Sequence, residues 1–292
     1  MSESGGMAGK TCIVTGATSG IGKATALALA RRGATVVLIC RSRDTGEATA
    51  RAIGAAAPAG TVDLLVADLS SQRQIRAAAA EFGRAYGRLD VLVNNAGAIF
   101  PRRQESVDGI EMTLAVNHVA PFLLTNLLLD KLRAAGRARI VNVNSDEHEK
   151  GEIDFADLQM RRRYGRGVGM RAYGNAKLAN LLTGYELARR LRGTSVTVNA
   201  LHPGYVATDI IRLNGAPGAW RLLQPLWMLA KRFILTPAAG AATPVYLACA
   251  PEVANLSGGY FEKCRPAASS RLSRDEGLQA RMWESSVALT AG

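Results

Sequence analysis

Aromatic residues make up only 5% of the 292-residue chain. So few rings cannot build a base-stacking platform, so the formal net charge of +12 does not read as nucleic-acid binding. Cysteine is also scarce, with Cys12, Cys40, Cys249 and Cys264 spaced for neither a zinc knuckle nor a CxxC redox pair. No metal site is expected. Cys12 and Cys40 fall inside apolar runs and read as small buried side chains in a reduced, cytoplasmic protein. No stretch approaches the ~18 uncharged apolar residues of a spanning helix. The opening MSESGGMAGK is polar and lacks the apolar core of a signal peptide. What remains is a globular composition, 48% hydrophobic and 21% charged, whose positive charge suits an anionic small molecule.

Short β-branched runs alternate with longer Ala- and Leu-rich runs. Strands are predicted at Thr11–Thr15, Thr35–Ile39, Val62–Val66, Leu89–Val93, Arg139–Val143, Ser195–Ala200 and Gly259–Phe261. Helices are predicted at Gly22–Arg32, Asp44–Ala57, Gln72–Tyr86, Gly109–Leu132, Tyr173–Leu191 and Pro237–Cys249, the last kinked or divided by Pro244. The strands are apolar on both faces, as a parallel sheet covered by helices requires. The expected fold is α/β, a single doubly wound parallel sheet of about seven strands with helices on both faces. A flexible N-terminus at 1–9, a domain at 10–265 and a tail at 266–292 complete the organisation. Two segments interrupt the rhythm. The connection 146–172 is long, polar and ends in the basic run Arg161-Arg162-Arg163 with Arg166 and Arg171. The lid-like segment 210–236 carries an apolar stretch, Pro217–Leu235, which reads as core, lid or peripheral membrane contact.

The first strand runs into Thr15-Gly16-Ala17-Thr18-Ser19-Gly20-Ile21-Gly22. Glycines at 16, 20 and 22 allow a tight turn and let backbone N–H groups approach a pyrophosphate at the next helix N-terminus. This places dinucleotide binding on Gly16, Thr18, Ser19, Gly20, Ile21 and Gly22 in a Rossmann-type setting. The second strand ends Ile39-Cys40-Arg41-Ser42-Arg43, with no acid before Asp44. A carboxylate there would bind ribose hydroxyls and repel a 2′-phosphate, whereas Arg41 can grip that phosphate. NADP(H) is therefore expected over NAD(H). Asp68 and Leu69 follow the third strand. Asp68 reads either as an adenine contact or as a helix cap. Asn94, Asn95, Ala96 and Gly97 follow the fourth, where Asn side chains can tie adjacent loops.

In AYGNAKLAN, a helix would put Tyr173 and Lys177 on one face, one turn apart. A nearby ammonium favours the phenolate and lowers the tyrosine pKa. An isolated YxxxK is more often a plain surface pair. The set TGATSGIG at 15–22, DL at 68–69, NNAG at 94–97, Asn117, Ser145, YGNAK at 173–177 and HPGYVATD at 202–209, in that order, changes the balance. With it the chain resembles the short-chain dehydrogenase/reductase family over nearly its whole length. It is most similar to the retinol dehydrogenase and WW-domain-containing oxidoreductase branch, through CRSR at 40–43, NHVAPFLLTNLLL at 117–129, RIVNVNSDEH at 139–148 and GEIDFADLQ at 151–159. The resemblance implies a catalytic tetrad of Asn117, Ser145, Tyr173 and Lys177. Tyr173 would exchange a proton with the substrate oxygen, and Ser145 would polarise that oxygen. Lys177 would tune Tyr173 and hold the nicotinamide ribose, and Asn117 would support Lys177 through a water. Pro203, Gly204, Val206 and Thr208 would cradle the nicotinamide carboxamide.

The departures concern the substrate side. Asn144 replaces a usual serine, an acidic Asp146-Glu147-His148-Glu149 follows Ser145, the YxxxK interior is Gly-Asn-Ala, and Pro121 stands where that branch often has histidine. The stretch 160–171 is longer than in the retinol enzymes. The reading is an NADP(H)-dependent oxidoreductase interconverting a bulky apolar ketone or aldehyde and its alcohol, in a bacterial, secondary-metabolic setting. The alternatives are a non-catalytic NADP(H)-binding sensor or scaffold, or epimerase or dehydratase chemistry on the same fold. The resemblance also implies a homodimer through helices 109–132 and 173–191, with monomer and tetramer as alternatives.

Overall fold

A computed structural model describes residues 6–162, 164, 168–206 and 235–291. The alternation in the sequence becomes strand β1 (Thr11–Thr15), helix α1 (Gly20–Ala30), β2 (Thr35–Cys40), α2 (Arg43–Ala56), β3 (Thr61–Val66), α3 (Gln72–Ala85) and β4 (Val91–Asn94). A broken helical stretch follows: α4 (Met112–Leu114), a π-helical turn (Ala115–Val119), α5 (Ala120–Leu127) and α6 (Leu129–Ala134). Then come β5 (Ala138–Val143), α7 (Val168–Arg190), β6 (Val196–His202), α8 (Pro237–Gly240), α9 (Ala242–Cys249), β7 (Tyr260–Glu262), β8 (Arg265–Ala267) and α10 (Glu276–Leu289). The described strands form an eight-stranded sheet in the order β3-β2-β1-β4-β5-β6-β7-β8, parallel except for the final β7–β8 pair. The order reverses between β1 and β4, which opens a crevice at the carboxyl ends of the strands.

Successive β1 residues feed opposite faces. Ile13 packs with Val37, Phe82, Phe122 and Leu187 on one side. Cys12 and Val14 pack with Leu29, Ile53, Leu247 and Phe261 on the other. All four cysteines are free, and Cys12 and Cys40 are buried as expected. Buried Asp90 pins the start of β1, accepting from the Thr11 N–H at 2.9 Å and pairing with Lys10 at 2.9 Å and Arg88 at 3.2 Å.

Three expectations are corrected. The single helix over 109–132 begins instead at Met112, because Glu111 caps the N–H groups of Thr113 and Leu114. It widens into the π turn around Asn117, where the Ala120 N–H bonds back to the Ala115 carbonyl, and breaks at Leu128. The division in 237–249 falls at Ala241, not at Pro244. Pro244 sits in the first turn of α9, where its missing N–H costs nothing. The stretch 266–292, expected as a tail, supplies the rest of β8 and the docked helix α10. Its Met282 packs on Leu178 and Leu182, its Trp283 meets the Phe122 ring edge-on at 4.9 Å, and its Ser286 bonds buried His118 at 2.8 Å. A polar surface concealed these few apolar anchors in the sequence. No described helix is long and apolar enough to cross a membrane. Nearly all of the lid-like segment, residues 210–234, lies outside the described residues, as do Arg163 and Arg166 of the basic run.

Candidate active site

The crevice is built first from backbone. β1 ends at Thr15, whose hydroxyl accepts from the N–H groups of Asn95 (3.0 Å) and Ala96 (2.9 Å). The Asn95 amide returns a bond to the Thr15 carbonyl at 2.8 Å. This lock sets the loop after β4 against the Gly16 turn. Gly16 has a φ of +64°, and a Cβ there would stand 2.9 Å from the Ala96 Cα. A Cβ on Gly22 would stand 2.4 Å from both the Asn95 amide and the Gly16 carbonyl. Larger residues would push the three backbones apart. Ser19 begins α1 without a capping side-chain bond, and no acidic residue lies in the first turn. The helix end is thus electropositive and open to an anion.

Thr18 and Ser19 lie in the turn between β1 and α1, and Gly20 and Ile21 open α1. Arg41 is exposed one residue beyond β2, whose Ile39 pairs with Thr15. Arg43 leans instead on Glu47 at 3.7 Å, and among the described residues Arg41 forms no ion pair. Asp68 is spent locally, its Oδ1 accepting from the Ser70 N–H and hydroxyl. Ser71, not Asp68, caps α3. Leu69 packs against the core below. Pro203, Gly204 and Val206 follow β6, and Val206 pairs with Leu235. A Cβ on Gly240 would touch both Val206 and Ile21, so this segment lies beside the start of α1. Thr208 lies outside the described residues.

The carboxyl ends of β4 and β5 bring the reactive side chains together. Ser145 follows β5, and α7 presents Tyr173 and Lys177 one turn apart. The Lys177 ammonium donates to the Val143 carbonyl at 2.9 Å and lies 5.4 Å from the Tyr173 ring centre. The Ser145 hydroxyl acts on the Tyr173 phenol, favouring its ionised form. A Cβ on Gly97 would stand 2.8 Å from Asn117 Oδ1 and 3.6 Å from Lys177 Nζ, so the loop after β4 closes over both. The Asn117 amide donates to the carbonyls of Ala98 (2.7 Å) and Thr113 (2.8 Å), and its oxygen accepts from the Ala98 N–H. Pro121, four residues on, offers no N–H to the Asn117 main-chain carbonyl. All four tetrad residues therefore meet in one place.

The departures from the family pattern find physical reasons here. Asn144 is buried and bridges the site: its oxygen accepts from the Ser145 N–H at 2.7 Å, and its amide donates to the Lys177 carbonyl at 3.0 Å. In the YxxxK interior, a Cβ on Gly174 would stand 2.8 Å from the Glu147 carbonyl, Asn175 accepts from the Glu152 N–H, and Ala176 is fully buried. His148 accepts at Nε2 from the Ser270 N–H at 3.1 Å, so its Nδ1 carries the proton donated to the Ser145 carbonyl at 2.6 Å. Burial holds its imidazole below the usual range, which keeps that neutral tautomer. Thr15, His148 and Tyr205 received no role from the sequence. All three stand inside quoted motifs, but contacts of each come from other strands and loops.

The electrostatics correct one expectation. Burial pushes the Tyr173 phenol well above its ordinary value, the charges of Asp146 and Glu147 add to this, and the Ser145 bond only opposes it. Lys177 does not reverse the shift, because its own burial lowers it to about 8 and its ammonium is turned onto the Val143 carbonyl. In this structure the tyrosine is a neutral acid at rest.

The fold, the glycine turn and the clustered tetrad define a nucleotide-dependent dehydrogenase architecture. A short chain dehydrogenase family profile matches residues 10–157. Retinol dehydrogenase 14 of Mus musculus is 43% identical over 293 residues, covering 97% of this chain and 86% of that protein. An uncharacterized protein from Mycobacterium paratuberculosis has a crystal structure with a TM-score of 0.78 at 33% identity, covering 98% of this chain and 95% of that one. The Pseudomonas aeruginosa RhlG/NADP active-site complex follows with a TM-score of 0.69 at 27% identity, over 89% and 97% of the two chains. The chain belongs to the short-chain dehydrogenase family and is an enzyme of that class.

Proposed function

We propose that the protein is an NADP(H)-dependent oxidoreductase that interconverts a bulky apolar ketone or aldehyde and its alcohol. The observation that carries this reading is the convergence of Ser145, Tyr173 and Lys177 beside the open α1 end. The residues present fit the dinucleotide. The Gly16–Gly22 turn packs its backbone closely beside the loop after β4, and the uncapped α1 end supplies donors for a pyrophosphate. Arg41 would take the 2′-phosphate, and Lys177 with Gly97 would face the nicotinamide ribose. A nicotinamide cofactor supplies or accepts the hydride. Tyr173, neutral at rest, donates its proton to the substrate oxygen in reduction and recovers it in oxidation. Ser145 bonds the same oxygen and steadies its developing charge.

Similarity to retinol dehydrogenase 14 supports an apolar alcohol or carbonyl substrate. Similarity to the RhlG/NADP complex supports the cofactor. The Ala-, Gly- and Arg-rich composition supports a bacterial, secondary-metabolic setting. A homodimer through α5 and α7 is opposed by α10, which lies against both, so a dimer would use another face. Titration with NADPH and NADH, followed by turnover of a panel of bulky ketones and alcohols, tests the reading. Tight NADPH binding with turnover is expected. Binding without turnover of any panel member would favour the sensor alternative.

A further inference from the structure

The hydroxyl of Ser145 is already engaged. Its Oγ accepts from the Glu147 N–H at 3.2 Å and donates its single proton to Asp146 Oδ1 at 3.0 Å. To bond a substrate oxygen, Ser145 must turn that proton away from Asp146. Oδ1 then loses the donor that Ser145 gave it. His202 Nδ1 lies 3.8 Å from Oδ1, but it accepts the Asp146 N–H at 3.3 Å and so has no proton to offer there. Asp146 Oδ2 accepts from the Tyr205 hydroxyl, and the Tyr205 ring stands edge-on to His202 with 5.7 Å between ring centres. The main chain and the carboxylate of Asp146 are thus both pinned to the loop after β6, with Oδ1 on Ser145. The neighbouring acids do not share this place. Glu147 pairs with Lys150 at 2.9 Å, and Glu149 is exposed.

We propose that Asp146 is a specificity-determining residue, and that the substrate carries a hydroxyl on the carbon next to its carbonyl, which donates to Oδ1 when Ser145 turns to the carbonyl oxygen. The inference rests on the carbonyl chemistry proposed above. A hydroxyl at that carbon stands about as far from the carbonyl oxygen as Oδ1 stands from Ser145 Oγ. Serine and substrate therefore exchange hydrogen-bond partners. The Ser145 hydroxyl moves to the carbonyl oxygen, and the substrate hydroxyl replaces it on Asp146. A plain ketone has no such donor and leaves a part-buried, charged oxygen one bond short. A carboxylate at the same carbon sets like charge against Asp146. The substrate class is thus a bulky α-hydroxy ketone or aldehyde, and its reduced form is a vicinal diol.

The surroundings keep this acceptor charged and within reach. Burial alone would raise the carboxyl. The bond from Tyr205, the His202 imidazole, the Ser145 bond and the Lys150 charge outweigh it and hold Asp146 below its ordinary value. Two carboxylate oxygens offer about four acceptor positions, of which Ser145 and Tyr205 take two. The Asp146 side chain is 27% exposed, so a ligand entering the crevice can meet it. Tyr205 is 70% exposed and acts through Asp146, as a positioning residue that fixes which oxygen faces Ser145.

The test sets bulky aryl ketones beside their α-hydroxy and α-methoxy derivatives, with NADPH consumption by the full chain as the readout. The methoxy group keeps the neighbouring oxygen and removes the donor. Wild type is expected to favour the hydroxy compounds over both the methoxy compounds and the parent ketones by ~10-fold or more in kcat/KM, as one hydrogen bond to a charged group allows. Asp146→Ala should bring the hydroxy-to-methoxy ratio to about one. Tyr205→Phe, at an exposed position, frees the carboxylate to turn and should lower that ratio roughly threefold, which carries the test if Asp146→Ala does not fold. A substitution that merely loosens the site slows all the compounds together and leaves the ratio in place. A wild-type ratio near one, or a ratio that neither variant changes, would overturn the proposal and leave the oxidoreductase reading standing. A wild-type chain that turns over none of the compounds would remove that reading and the inference with it.

Discussion

The two halves of the crevice are made of different material. On the β1–α1 side the backbone does the positioning: Gly16 and Gly22 let three chain segments meet, and Thr15 and Asn95 lock them. On the β5–α7 side titratable side chains are buried at a cost. Tyr173 is raised and Lys177 is lowered, both chiefly by burial. The first half tolerates no added atoms. The second holds groups whose ionisation is shifted from its value in water. One half is thus sensitive to volume and the other to charge.

Substitutions can break this contrast. Tyr173→Phe preserves volume and should abolish turnover, by ~10³-fold or more, while NADPH affinity stays within about threefold. Normal turnover by this variant would remove Tyr173 from the acid/base role. Gly22→Ala adds one methyl group, 2.4 Å from the Asn95 amide and the Gly16 carbonyl, and should weaken NADPH binding by roughly 100-fold through backbone displacement. Unchanged affinity in a calorimetric titration would show that the cradle is not volume-limited.

Lys177→Met addresses charge without a cavity. Burial lowers Lys177 to about 8 from an ordinary 10.5, so the unfolded chain binds more protons between those values. Stability should therefore rise with pH from about 8 to 10.5, and the variant should flatten that rise. The variant should also gain about 3 kcal/mol of stability near pH 7 and lose activity. A destabilised variant in denaturant titrations would mean that the Val143 bond outweighs the burial of the charge. The smallest effect belongs to the exposed rim. Arg41→Ala should weaken NADPH about tenfold more than NADH, the worth of one charge-assisted bond. Equal losses for both cofactors would remove Arg41 from the 2′-phosphate.

Much of this was legible in residue order. The predicted boundaries at Thr11–Thr15 and Gln72–Tyr86 fall within a residue of β1 and α3, because continuous apolar runs and a Ser cap are local signals. The nearness of Tyr173 and Lys177 was legible too, since they share a turn of helix whatever surrounds them. Less legible were the π turn at Asn117 and the docking of α10. The first depends on the close fit of the loop at Ala98. The second depends on Met282 and Trp283 finding α7 and Phe122, 100 or more residues away.

Sequence by itself therefore determined the sheet, the glycine turn, the absence of an acid at Arg41 and the placing of Tyr173 and Lys177 on one face of a helix, all of which follow from short-range pattern. Tertiary structure alone decided their physical state. The Tyr173 phenol is raised because it is buried, His148 has one tautomer because Ser270 meets it, and Asp146 reaches Tyr205 because β5 and β6 are neighbours. Protonation depends on desolvation and on partners distant in sequence, and neither exists until the chain has folded.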